Sequence, residues 1–163
     1  MAVFSLEGAF MSILFDKIDK KRTAERVSDF LTDDLHRLLL RCGRSRFELS
    51  SPSLDLAPSH GSGGNTMEKK LIDGIDAQEE VNVIYKAAHS LRGASKKIII
   101  GLYFSSKPVW QVKESVHYEK KKYYVLRDQA LCDFADTFDR WQQYLKYSPK
   151  IDLHVYAEEK NEK

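Results

Sequence analysis

The stretch from Ser50 to Asn65 limits the folds available to this chain more than any other feature. Its sixteen residues, SSPSLDLAPSHGSGGN, include five serines, three glycines and two prolines. A segment of this composition sustains neither a helix nor a strand ladder, so we expect a solvent-exposed linker. The 163-residue chain is therefore predicted to divide into a helical N-terminal segment (1–49), a flexible linker (50–65), a larger domain (66–147) and an extended C-terminal tail (148–163).

Apolar residues recur at intervals of three and four on both sides of the linker, which is typical of amphipathic helices. Before the linker, this pattern runs from Asp16 or Thr23 to Cys42, and Gly43 is well placed to end the helix. After the linker, the apolar run KKIIIGLYF (96–104) is compatible with a helix or a buried strand. We predict a helix there because the neighbouring segments are helical, so the predicted fold class is all-α.

A short helix followed closely by a long one is predicted in the C-terminal half. The short helix runs from Lys107 to about Val116, with Pro108 at its first position. His117 occupies the turn, in a left-handed conformation that histidine tolerates better than a branched residue. The long helix is predicted to bury Tyr123, Leu126, Ala130, Phe134 and Phe138. Beyond it, IDLHVYA (151–157) alternates apolar and polar residues, which predicts a short strand or an extended arm.

Charge is distributed unevenly along the chain. The overall net charge is only +2, but residues 92–127 carry nine lysines and arginines against two glutamates, a net charge of +7. Residues 128–163 carry five basic and eight acidic side chains, a net charge of −3. The run Lys120 to Lys122 lies at the start of the long helix, where the helix dipole favours acidic residues instead. Such a segregated basic segment predicts a polyanionic partner.

Two helices joined by a short turn, with cations at the start of the second, predict a helix-turn-helix whose second helix enters the DNA major groove. Side chains on its outward face, which include either Arg127 or Asp128, would contact base edges, and flanking lysines would neutralise phosphates. The predicted DNA-binding residues are Lys107, Lys113, Glu119, Lys120, Lys121, Lys122, Tyr124, Arg127 and Asp128, with Lys96 and Lys97 on backbone phosphates. The plainer interpretation is that the lysine run is a solvated helix face.

Lys113 does not fit this motif in one respect. Its position in the first helix of a helix-turn-helix usually carries a small residue, because the two helices cross closely there. Either the lysine extends outward from the crossing or the register of the motif shifts by one residue. Trp110, in the same helix, is equally compatible with internal packing and with a protein-binding surface.

Other functional classes find little support in the sequence. Cys42 and Cys132 are ninety residues apart, and no histidine lies within four residues of either, so we expect no disulfide, metal or cofactor. The chain has no phosphate-binding glycine loop and no nucleophile–histidine arrangement, so we predict neither catalytic residues nor an enzyme. The apolar N-terminal stretch contains Glu7 and is too short to span a bilayer, so we expect no membrane association and a cytoplasmic location.

Four stretches of this sequence resemble the ArpU family of phage and prophage transcriptional regulators. They are FDKIDKKRTAERVSDFL, LSSPSLDLAPSHGSGGN, IDAQEEVNVIYKAAHSL and YEKKKYYVLRDQALCDFADTF, which together extend over most of the chain. The resemblance implies a DNA-binding regulator of late phage genes for packaging, structural and lysis functions, acting in the cytoplasm of a bacterial host. It also implies a C-terminal region similar to region 4 of sigma factors.

On that sigma-like region, Lys120, Lys121 and Tyr124 fall where sigma factors place side chains that contact bases and phosphates. Two positions depart from the pattern. Glu119 stands where a serine or threonine cap is common, and Lys113 replaces the usual small residue. These departures concern the details of docking on DNA.

Three functions are compatible with these features. The leading hypothesis is a transcription activator that binds a double-stranded phage promoter and touches RNA polymerase through another surface. Such an activator need not be larger than a homodimer. The second is a DNA-packaging protein similar to a small terminase subunit, which would assemble into a ring. The third is an adaptor that binds RNA polymerase through Trp110 and Trp141 without binding DNA by itself.

Overall fold

The computed structural model describes residues 14–54 and 65–158, with the backbone alone for 65–75 and Lys120. Within these ranges the helices are α1 (Lys20–Asp29), α2 (Leu35–Cys42), α3 (Asn65–Ser90), α4 (Gly93–Ile99), α5 (Val109–Val116) and α6 (Lys120–Tyr144). A π-helical turn, Phe30–Asp34, joins α1 to α2, another, Ile100–Phe104, extends α4, and a 3₁₀ turn, Arg46–Ser50, follows α2. The described residues form no strand, which confirms the predicted all-α class.

The ends of the first helical segment follow from local capping chemistry. Its first residue is Lys20, because the side chain of Asp19 accepts a hydrogen bond from the backbone N–H of Arg22 at 3.1 Å. The segment ends at Gly43, whose φ of 66° is the left-handed conformation expected of a residue just past a helix. The run 96–104 is helical, as predicted.

One hydrophobic core joins the helices on both sides of the predicted linker. Helix α6 packs against α1, α3 and α4. Phe138 on α6 contacts Phe30 of the π-turn with ring centroids 5.4 Å apart, and Phe134 stacks beside it. Tyr123, Ala130, Phe134 and Phe138 are buried as predicted, whereas Leu126 is partly buried. Because both halves contribute to this core, α1 and the π-turn that follows it help to fix the orientation of α6.

The predicted linker is described only in part. The hydroxyl of Tyr85 on α3 donates a hydrogen bond to the backbone carbonyl of Ser51 at 2.6 Å, so the linker's first residues are held against the core. Residues 55–64 lie outside the described ranges. The predicted domain boundaries therefore stay a prediction.

The short helix α5 begins at Val109, two residues after the predicted start at Lys107 and one residue after Pro108. Pro108 precedes the first helical residue, with an extended ψ of 150°, and its carbonyl accepts a hydrogen bond from the N–H of Val112. The helix ends at His117, whose φ of 56° confirms the predicted left-handed turn. Helix α5 also lies very close to the π-turn after α4, since a Cβ on Gly101 would lie 3.0 Å from Cγ2 of Val112.

The segment 151–157 forms an extended arm and not a strand. A single antiparallel bridge joins Ile18 to Tyr156, and the Asp19 N–H donates to the Val155 carbonyl at 2.7 Å. The buried side-chain amide of Gln142 forms two hydrogen bonds with the backbone of Ile151, one to its carbonyl at 2.8 Å and one from its N–H at 2.7 Å. The arm thereby ties the beginning of α1 to the end of α6.

His154 holds the middle of this arm between two carboxylates. Its Nε2 lies 2.7 Å from Asp136 on α6, and its Nδ1 lies 2.7 Å from Asp152. Both ring nitrogens donate when the imidazole is protonated. The hydrogen bond to Asp136, followed by the one to Asp152, raises the pKa of His154 to about 9, although burial acts in the opposite direction. The arm is therefore fastened by an imidazolium at neutral pH.

This arrangement predicts a pH dependence of stability. The folded pKa of His154, about 9, is above the unfolded value of about 6.5. The folded state therefore binds this proton more tightly, and the resulting stabilisation is complete below about pH 6.5 and is lost as the pH rises through about 9. We expect His154→Gln to lower the melting temperature by several degrees at pH 6 and by less than half as much at pH 9.5.

Thermal unfolding followed by circular dichroism at both pH values checks this expectation. Tyr156, whose pKa is raised to about 12 chiefly by its hydrogen bond to Asp152, stays protonated over this range. His36→Gln is the control, because His36 is exposed on α2. An equal decrease of melting temperature at both pH values in His154→Gln would contradict the predicted role of the imidazolium.

Candidate nucleic-acid interface

The first turn of α6 emerges directly from a tight turn of three residues. His117 ends α5, and Tyr118 and Glu119 lead into α6 with exposed side chains. Glu119 is the N-cap residue, but its side chain makes no capping hydrogen bond, and its carbonyl accepts from the N–H of Tyr123 at 3.0 Å. The first turn of α6 contains no acidic residue. The lysines therefore add to the positive end of the helix dipole, and Glu119 at the N-cap is the acidic residue beside them.

The outward face of α6 carries both charged and apolar groups. Lys121, Lys122 and Tyr124 are exposed, as the sequence analysis expected. The side chain of Lys120 lies outside the described part of the structure, although its backbone begins the helix. Val125 is 70% exposed on the same face and was missed from the sequence. Its spacing of four residues from Lys121 is the sequence signal that places both on one side of the helix.

Lys113, which stands where the helix-turn-helix motif usually has a small residue, extends towards the aromatic rings of α6. Its ammonium group lies 5.0 Å from the ring centroid of Tyr124 and 5.3 Å from that of Tyr123. The close approach that the structure shows lies one residue earlier and involves a different element, since the buried Val112 meets Gly101 of the π-turn after α4. Lys113 is half-buried, and its ammonium group lies beside the outward face of α6.

A second cation flanks the ring of Tyr124. The guanidinium carbon of Arg127 lies 5.2 Å from that ring's centroid, and one of its terminal nitrogens lies 3.3 Å from the carboxylate of Asp128. The sequence left open which of Arg127 and Asp128 faces outward, and both are partly exposed. The two cation–π contacts with Lys113 and Arg127 limit the orientations available to Tyr124.

Beneath this surface, the hydroxyl of Tyr123 and Nε of Arg127 are buried and have no hydrogen-bond partner among the described residues. Burial raises the pKa of Tyr123, and the nearby charge of Arg127 opposes that shift. Tyr123 faces the core, as the sequence predicted. Tyr123 therefore packs α6 against the core, while Tyr124 faces outward.

The remaining predicted phosphate-contacting lysines lie in three different settings. Lys97 on α4 donates to the carbonyl of Ser115 at 3.3 Å, which places its ammonium group at the C-terminal end of α5, beside the turn. Lys96 is half-buried on α4, and Lys107 is exposed in the connection before α5. The structure thus brings Lys97 to the turn and Lys113 to Tyr124 and Arg127.

The two tryptophans considered as protein contacts differ in their surroundings. Trp110 is strongly exposed on the first turn of α5. Trp141 is half-buried on α6, and its indole N–H donates to the hydroxyl of Ser90 at 3.1 Å. Trp141 therefore has a structural role in joining α6 to α3.

Two further findings concern the described residues as a group. They contain no cluster of three or more histidine, cysteine, aspartate or glutamate side chains arranged to hold a metal ion. They also include no helix with both the length and the apolar character needed to cross a membrane.

Comparison with known proteins supports the resemblance noted in the sequence. The chain is similar to the Enterococcus hirae protein named "Putative autolysin regulatory protein ArpU". The two are 27% identical over 130 residues, which cover 77% of this chain and 92% of the ArpU protein. No protein-family profile matches the chain, and no solved structure matches it. The similarity to ArpU is to a regulatory protein as a whole, so the helix-turn-helix assignment and the DNA contacts stay predictions.

Proposed function

We propose that this protein is a DNA-binding regulator of transcription that places the N-terminal end of α6 in the major groove. The observation that carries the proposal is the exposed set of Lys121, Lys122, Tyr124 and Val125 on the first turns of a helix that follows a tight turn. This is the position from which the second helix of a helix-turn-helix contacts base edges. The similarity to a protein named as a regulator supports the same function.

The charges of this surface fit duplex DNA. Lysines at the N-terminal end of a helix repel the positive end of its dipole, and a phosphate or a guanine acceptor relieves that repulsion. Lys113 and Arg127 on either side of Tyr124 supply further cations on the flank of the same surface. Neutralising backbone phosphates releases condensed counterions, which makes such binding strongly dependent on salt.

The genes that we propose as targets of regulation are chosen from the name of the Enterococcus relative. That protein is named as a regulator of autolysin, an activity connected with lysis. We therefore propose that the regulated genes of this chain are late phage genes for packaging and lysis. The protein would act in the cytoplasm of a bacterial host as an activator that also contacts RNA polymerase, and not as an enzyme.

Binding to a promoter fragment from upstream of a phage packaging or lysis operon tests this function. We expect Lys121→Ala together with Lys122→Ala to weaken binding at least tenfold at 100 mM KCl, because each lysine supplies one contact to a phosphate or a base. The slope of log Kd against log salt should also fall by about one for each phosphate that the variant no longer neutralises. Fluorescence anisotropy over a range of KCl concentrations measures both quantities.

The control removes the same charge from other surfaces. Lys21 on α1 and Lys86 on α3 are exposed, and replacing both by alanine should change the affinity less than threefold. An equal weakening of binding in the two double variants would show that α6 has no special role. Absence of any DNA affinity in the unmodified protein would rule out the proposed function, and capture of RNA polymerase in that case would favour the adaptor alternative.

A further inference from the structure

Val125 occupies the middle of the exposed face of α6. With about 100° between successive residues of a helix, Val125 lies between the directions of Lys122 and Tyr124, and close to that of Lys121. Its side chain is 70% exposed, whereas Tyr123 and Ala130 on the opposite side are buried. Scattered exposed valines are ordinary on protein surfaces. This one lies on the early turns of the helix, surrounded by the side chains that carry the proposed function.

The chemistry of valine limits what it recognises. Its two methyl groups neither donate nor accept a hydrogen bond, and within a helix the β-branched side chain adopts one strongly preferred rotamer. It therefore presents a rigid apolar surface in a fixed direction. In the major groove, the 5-methyl group of thymine is the apolar feature that distinguishes one base edge from the others.

We infer that Val125 is a specificity-determining residue that selects a thymine at one position of the DNA site by packing against its 5-methyl group. The inference rests on the proposed function and adds to it the identity of one base. Lys121 lies one helical turn before Val125, and Tyr124, held between Lys113 and Arg127, lies beside it. These neighbours bind acceptors and phosphates, so they set the position of the helix and leave the thymine contact to Val125.

Replacing thymine by uracil removes this methyl group and leaves base pairing intact. Once a bound fragment has been footprinted, each thymine in the footprint is changed singly to deoxyuridine. We expect one or two replacements to weaken binding by about fourfold, which corresponds to the burial of one methyl group. With Val125→Ala, binding to the thymine site should weaken by a similar factor, and the same replacements should have less than a 1.5-fold effect.

Two further variants distinguish the contact between Val125 and the thymine methyl group from a general effect of removing exposed methyl groups. Val125→Thr keeps one methyl group and should keep part of the discrimination between thymine and uracil. Val109→Ala removes the same two methyl groups from a valine that is 44% exposed on α5 and should leave the discrimination unchanged.

Two outcomes would overturn the inference while leaving the proposed function in place. One is normal DNA binding without any thymine whose 5-methyl group matters. The other is discrimination that persists unchanged in Val125→Ala. A complete lack of DNA binding would overturn the inference and the proposed function together.

Discussion

Replacing Gln142 by alanine is expected to lower the free energy of unfolding by about 3 kcal/mol, because it leaves the partly buried N–H and carbonyl of Ile151 without partners. The Gln142 side chain is 1% exposed and pairs with both the N–H and the carbonyl of Ile151. For a chain of this size, the change corresponds to a decrease in melting temperature of about 6 to 12 °C. Chemical and thermal unfolding of the full-length protein measure both quantities.

The adjacent glutamine provides a matched control. Gln143 is exposed, and its amide donates a hydrogen bond to Asp139 within the same helix, at 2.9 Å. Gln143→Ala should therefore change stability by less than about 0.5 kcal/mol. Without the two hydrogen bonds of Gln142 the arm should detach, so trypsin should cleave after Lys150 faster in Gln142→Ala than in Gln143→Ala. Equal stability and equal cleavage in the two variants would show that the arm does not depend on Gln142.

Gly101→Leu is expected to destabilise the fold by about 3 kcal/mol and to weaken DNA binding more than tenfold. The Cβ of any side chain at this position would approach Cγ2 of Val112 to 3.0 Å, and Val112 is itself buried and β-branched. Overpacking of a filled core costs about 1 to 3 kcal/mol, occasionally more. Helix α5 would have to move away from α4, which displaces the turn before α6. Urea unfolding and the promoter-binding assay measure the two effects.

A pair of smaller changes tests whether the contact with Val112 is the cause. Gly101→Ala alone should destabilise by about 1 kcal/mol, because the steric conflict exceeds the gain in helix propensity. In a Val112→Ala background the conflict is removed, so the same substitution should become neutral or stabilising by about 0.5 kcal/mol. An identical cost in both backgrounds would assign the effect of Gly101 to something other than Val112.

The helices were predictable because their signals are local. Gly43 and His117 end helices in the left-handed backbone conformation, which glycine adopts freely and histidine tolerates. The spacing of Phe134 and Phe138 identifies the buried face of α6. The same spacing predicted which way Lys121 and Tyr124 face. Pro108 was placed one residue too far into α5, since proline suits both the first helical position and the one before it.

The features that escaped the sequence depend on distant parts of the chain or on an exception to the apolar pattern. Gln142 and His154 are polar residues that a periodic pattern assigns to the surface. Gln142 pairs with Ile151 of the arm, and the imidazole of His154 pairs with Asp136 on α6. The carbonyl of His154 accepts a hydrogen bond from Arg26 on α1, 128 residues away. Val125 was missed for the opposite reason, because an apolar residue in a helix is expected to be buried. Its spacing from Lys121 indicates the outward face of α6, and the packing of the helix shows that its side chain is exposed.

Because α6 is long, a small rotation at its packed C-terminal half produces a large displacement at its N-terminal end. Its 25 residues extend about 36 Å, with the exposed lysines of the proposed DNA-binding surface at one end and the aromatic packing and arm contacts at the other. A tilt of about 10° around Phe138 would move Lys121 by about 4 Å, more than the length of a hydrogen bond. If α6 binds DNA as proposed, substitutions far from the lysines should weaken that binding by changing the direction of the helix without altering any of the proposed contact residues.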